Sequence, residues 1–231
     1  MLTRSRNGNE LRLFTPADLT APERWGGVEQ GAISSMLLVL WWIENFLARP
    51  HKDLGRTGPV CPFVRPALEK ETLWLAPLLK PAYRDGSPGP MILDHLEWYL
   101  ELEPVVGEDA IYKTILFVLP DVTPDEYATI IDATQARLKP RFVEQGLMFG
   151  QFHPQCNEGG VRNPDFRPLR CPVPLLVIRK MTSFDFMFLK QDADIYDEKY
   201  LRSYFKRFAP DLPAPFVDDI VRIATAAPVQ R

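Results

Sequence analysis

The sequence predicts an α+β fold: a mixed β-sheet covered by helices, with an extra N-terminal helix and a C-terminal helix pair. Three observations predict it. Four short apolar runs, at residues 72–76, 113–119, 147–152 and 173–179, have the length and composition of strands. Two longer stretches between them, residues 91–102 and 123–145, space their apolar residues as helices do. The 23 prolines concentrate between these segments, as rigid connections around a core. Such an order suggests helices on one face of the sheet, with a ferredoxin-like arrangement as one candidate. Residues 1–30 read as an N-terminal arm and residues 31–231 as a single domain.

The arm carries turn signals at Thr15-Pro16 and Ala21-Pro22 and breaks at Gly26-Gly27. Residues 31–48 form a helix that is apolar nearly all round, with Ile33, Leu37, Leu40, Trp41 and Leu47 on its surface. A helix of that kind is buried, and Trp41-Trp42 are assigned to core packing. Gly55, Gly58, Pro59, Pro62 and Pro66 exclude regular helix before about Ala67. The helix at 91–102 turns Ile92, Leu96, Tyr99 and Leu100 inward and leaves His95 toward solvent. The run KTILFVL at 113–119 is continuous, so this strand is central and buried on both faces.

Thr123, Pro124 and Glu126 make a helix start with a capping box. Gly146 ends that helix, and Pro140 predicts a kink or break near its last turn. Two closing helices are expected at 196–208 and 215–226.

Composition narrows the function. A net charge of −3 provides no basic field for nucleic acid. The most apolar run, residues 36–43, is too short to cross a membrane. Three widely spaced cysteines without a CxxC pair fit a reducing compartment, and the N-terminus lacks a signal-peptide apolar region, so a cytoplasmic protein is expected. An exposed sheet edge makes a homodimer plausible. The P-loop, GxGxxG, GxSxG and HExxH patterns do not occur.

Chemistry-bearing residues collect in the loop after the strand at 147–152. His153 is followed by Pro154, which restricts its backbone to extended geometry. The residues alone allow a structural histidine at a strand end or a metal ligand. Cys156 and Cys171, with His153 and Cys61, make four zinc-type ligands at spacings looser than structural zinc sites use. Arg162, Arg167 and Arg170 follow Gly159-Gly160; they serve either as surface partners of Glu158 and Asp165 or as a carboxylate-binding cluster.

The segments Gly58-Pro59-Val60-Cys61-Pro62-Phe63, Phe149-Gly150-Gln151-Phe152-His153-Pro154, Arg162-Asn163-Pro164 and Arg167-Pro168-Leu169-Arg170 carry a resemblance. Together they resemble a bacterial family of proteins found beside biosynthetic genes. More distantly the chain resembles the YqcI/YcgG family of haem-dependent N-oxygenases and the hydroxyurea-forming haem protein of D-cycloserine biosynthesis. The resemblance implies haem b with His153 as axial iron ligand, Arg162, Arg167 and Arg170 on the propionates, and Cys61 bracing the pocket. Phe149, Phe152, Phe184, Phe186, Met187 and Phe188 then offer an apolar slot. The chain departs from YqcI/YcgG at residues 155–160. The expected activity is oxidation of a small guanidino or amino metabolite, with Asp185 orienting the cationic substrate and a redox partner supplying electrons. Two other readings stay open: a non-catalytic haem or small-ligand binding protein, and a metal-free enzyme using Cys61 or Cys156.

Overall fold

A computed structural model describes residues 1–83, 86–185, 188 and 204–208. The expected helix at 215–226, most of the one at 196–208, and Phe186 and Met187 of the apolar slot lie outside the described residues.

The chain opens with a β-hairpin, β1 (Leu2–Arg6) and β2 (Asn9–Leu13), where an arm was expected. Its turn is Asn7-Gly8, both with positive φ (48° and 80°), the conformation a two-residue hairpin turn requires. Leu11 and Leu13 are buried, and Phe14 bridges to Leu75, so the hairpin is part of the core. After the short α1 (Pro16–Leu19) comes α2 (Gln30–Trp42), which runs into a wide π-helical turn, Ile43–Leu47. Trp42 is buried as expected, but Trp41 is 60% exposed. Helix α3 (Val64–Glu69) begins earlier than expected, with Pro66 in its first turn, where a missing N–H costs nothing.

The main sheet contains β3 (Leu73–Pro77), β4 (Thr114–Val118), β5 (Leu147–Phe152) and β6 (Leu175–Lys180), in the order β3-β4-β6-β5. β3 and β4 are parallel, joined through α4 (Gly89–Glu101); β6 is antiparallel to both of its neighbours. The fold is α+β with a mixed sheet. Its strand sequence β-α-β-α-β-β is not the β-α-β-β-α-β of the ferredoxin-like arrangement. Between β4 and β5 the chain forms one helical stretch: a 3-10 turn, Pro124–Glu126, a second π-helical turn, Tyr127–Asp132, and α5 (Ala133–Glu144). The Thr123–Glu126 capping box is present. Pro140 lies inside α5 without breaking it; Phe142 stacks on Phe149 of β5 at 4.4 Å and holds that end of the helix on the sheet.

Helices cover both faces of this sheet, a correction to the one-face expectation. Strand residues alternate between two cores. Trp74, Ile115, Phe117, Phe149, Leu176 and Ile178 face α4 and α5. Leu73, Leu75, Leu116, Val118 and Leu175 face α1, α2 and α3.

His95 is on the inward side of α4, fully buried, not facing solvent. Its Nδ1 meets the Met91 carbonyl at 2.8 Å, and its ring stands edge-on to Phe117. Burial pushes its pKa down to about 4. The unfolded chain therefore binds a proton that the folded chain refuses between about pH 6.5 and 4. Stability is complete above that window and falls as pH drops through it. A shift of this size corresponds to roughly 3 kcal/mol at the acid end. Urea titrations at pH 7 and pH 4.5 should show the loss, and His95→Gln should remove most of the difference between them.

Candidate functional site

His153 follows directly on the end of β5, and strand alternation decides where it goes. Phe152 turns to the α2 side, where its ring meets Trp42 edge-on at 5.8 Å. The next residue, in extended backbone, turns to the opposite side. There the His153 ring packs against Tyr127 at a centroid distance of 4.7 Å, and its Nε2 lies 3.1 Å from Asp132 Oδ1. The imidazole is 4% exposed, whereas the Asp132 side chain is 43% exposed. The pair thus sits at the rim of the core, with Asp132 on the water side.

The π-helical turn makes this pair possible. Tyr127 and Asp132 are five residues apart, which an α-helix at about 100° per residue would place roughly 140° apart. Spanning the wide turn, both reach one imidazole. Asp132, Gln135 and Lys139 continue as a polar row along α5. Gln135 Nε2 donates to the Phe149 carbonyl, and burial lowers the Lys139 ammonium to about pKa 8 although Glu158 and Asp185 oppose the shift.

A carboxylate oxygen opposite Nε2 fixes the proton on that nitrogen in the neutral ring. Nδ1 is then a bare lone pair. It is buried and, among the described residues, has no hydrogen-bond partner. A buried nitrogen of this kind costs free energy unless something uses it. It is the feature that metal-ligating histidines show: one ring N–H held by a carboxylate, the other nitrogen presented to the metal.

The other residues singled out in the sequence do not converge here. Cys156 is the nearest, in a turn whose N–H donates to the His153 carbonyl. Burial pushes its thiol up to about 11, with Asp132 and Glu158 adding to the shift. Cys171 is pushed up to about 12 by burial, and Cys61 is raised by burial despite Arg179 and Arg56 nearby. At all three, burial disfavours the thiolate. Among the described residues no group of three His, Cys, Asp or Glu side chains is arranged to hold a metal ion, so the four zinc-type ligands are not brought together.

The arginines divide. Arg162 is exposed and packs its Cβ over Gly55, where any side chain would meet it at 3.0 Å. Arg167 and Arg170 line a cleft with Trp42 and Phe166 on the α2 side of the sheet. Arg167 donates to the Pro164 and Phe166 carbonyls; Arg170 donates to the Cys156 carbonyl and Asn157 Oδ1. Neither the expected pairing with Glu158 nor that with Asp165 forms. Cys61 donates its N–H to the Leu47 carbonyl and packs with the α2-side core, away from His153.

Asp185 is fully buried and committed to the chain itself. It takes both Nη atoms of Arg179, at 2.5 and 2.8 Å, and accepts the Thr182 N–H at 2.7 Å. Among the described residues its carboxylate is taken by Arg179 and Thr182, partners that the expected substrate-orienting role does not include. Phe184 and Phe188 are 61% and 42% exposed.

Sequence reasoning missed Tyr127 and Asp132. The π-helical turn that aims them has no signature in residue spacing; the one hint is Asp132 closing the run Tyr127-Ala128-Thr129-Ile130-Ile131.

Among the described residues no helix is long and apolar enough to cross a membrane. The model of a protein family described as a domain of unknown function, DUF6875, matches residues 36–218. No curated protein and no solved structure matches the chain.

Proposed function

The chain belongs to the DUF6875 family, a domain of unknown function, and on that premise we propose that it is a haem-dependent enzyme oxidising a small guanidino or amino metabolite, with His153 as the iron ligand. One observation carries the reading: the buried, partnerless Nδ1 of an imidazole whose other nitrogen is held by Asp132. The resemblance to haem N-oxygenases supplies the choice of iron porphyrin over other metals.

The residues fit the iron half of that cofactor and not its carboxylate half. Phe152 and His153 turn toward opposite faces of the sheet, so the cleft holding Arg167 and Arg170 lies on the other side from His153. Arg162 and Cys61 are in neither place. The residues assigned to the iron are therefore His153, with Asp132 and Tyr127 supporting it.

Each has a defined task. Asp132 keeps the Nε2 proton and so leaves the Nδ1 lone pair available. Tyr127 blocks ring rotation from one side, and Pro154 stiffens the backbone that carries the ring. Bound haem supplies the redox chemistry, and the chain sets orientation and access.

Haemin titration into the purified chain, followed by absorption, tests this. The wild type should develop a ligand-bound Soret band with saturable stoichiometry, and His153→Ala should lose it. An unshifted, full-strength band in His153→Ala removes His153 from the role.

A further inference from the structure

The cleft on the other face carries a second, separate site, which does not depend on iron. Its walls are Trp41, Trp42 and Phe46 from α2 and the first π-helical turn, and Phe166 from the loop opposite. Arg167 and Arg170 stand at its rim. The open volume, about 510 Å³, is within the roughly 300–1,000 Å³ typical of small-molecule sites.

The aromatic wall is built, not incidental. Trp42 stacks on Phe46 at 5.7 Å, Phe46 meets Phe166 at 6.1 Å, and His51 stacks behind Phe166 at 4.7 Å. Rings braced in this way keep their orientation when a ligand enters. Trp41, by contrast, is a large indole that is 60% exposed. The π-helical turn directly after Trp42 carries Asn45 and Phe46 into the same cleft. Asn45 anchors its Nδ2 on the Trp41 carbonyl at 2.8 Å.

Among the described residues the charge at the rim is uncompensated. Arg167 and Arg170 are both held by neutral oxygens, three backbone carbonyls and one amide, and among the described residues neither meets a carboxylate. Guanidinium groups oriented but not neutralised are prepared for an anion, which they take with planar, paired hydrogen bonds. Indole and phenyl faces beside them ask for a flat apolar body. From this complementarity we propose that the cleft binds a planar aromatic carboxylate, its ring on Trp41 and Phe166 and its carboxylate on Arg167 and Arg170.

Calorimetric titration of the full chain with 2-naphthoate, and with the neutral 2-naphthamide, tests the proposal. Wild type should bind the acid saturably and the amide roughly tenfold more weakly or worse. The double variant Arg167→Gln, Arg170→Gln should lose about ten- to a hundred-fold in affinity for the acid and little for the amide. Trp41→Ala, a change at an exposed position, should weaken both ligands, and it serves if the arginine variant fails to fold. His153→Ala should bind naphthoate as wild type does. No saturable binding to wild type, equal affinity for acid and amide, a folded arginine variant with unchanged affinity, an unaffected Trp41→Ala, or loss of binding in His153→Ala would each overturn it.

Discussion

Asp185→Ala should lower the unfolding free energy by about 3–5 kcal/mol in urea denaturation at neutral pH. The expectation follows from what the substitution leaves behind. Arg179 is at a sheet end, its guanidinium 5.2 Å over the Phe63 ring, and Asp185 is the carboxylate that neutralises it through two parallel hydrogen bonds. Asp185 also receives the Thr182 N–H and hydroxyl, so its loss strands three donor groups at once. Replacing only the charge, Asp185→Asn, should recover the Thr182 contacts and cost less. A loss below about 1 kcal/mol in Asp185→Ala would show that water already serves these groups.

Asp132→Asn should weaken haemin binding about ten- to a hundred-fold, the usual effect of removing the carboxylate behind a ligating histidine. The fold should hardly notice, because the Asp132 side chain is 43% exposed. An amide in its place can accept from Nε2–H but without the charge that makes the imidazole a strong donor of electrons to a metal. A variant that binds haemin as tightly as wild type would separate Asp132 from the iron.

Much of the sheet was legible in the residues, because strands buried on both faces are written as continuous apolar runs. KTILFVL at 113–119 is the clearest, and β4 is there. That same run should have forced helices onto both faces, since a strand with no polar side needs cover twice. The N-terminal hairpin was also written, in Asn7-Gly8, but its first strand, LTRSR, is mostly polar and exposed and offers no apolar alternation to flag it. At Pro140 the expected break does not occur: the residue lies inside α5, two positions before Phe142, which stacks on Phe149.

The site was legible only in part. His153 stood out by its chemistry and its proline. Its partner did not, because the meeting of Asp132 with His153 depends on an extra residue in a helical turn. The arginines looked like one cluster because they are close along the chain. In space Arg162 is used against Gly55 while Arg167 and Arg170 reach the aromatic cleft. The alternation of Phe152 and His153 could have warned of this, since two consecutive strand residues never share a face.

Iron ligation by His153 depends on the proton of one ring. Nitrogen-15 NMR of the imidazoles at neutral pH, with His153 assigned by substitution, reads it directly. The expected spectrum is that of a ring protonated at Nε2, with Nδ1 bare, and a shift of that balance in Asp132→Asn. A ring protonated at Nδ1, or at both nitrogens, would leave no lone pair for iron and would contradict it.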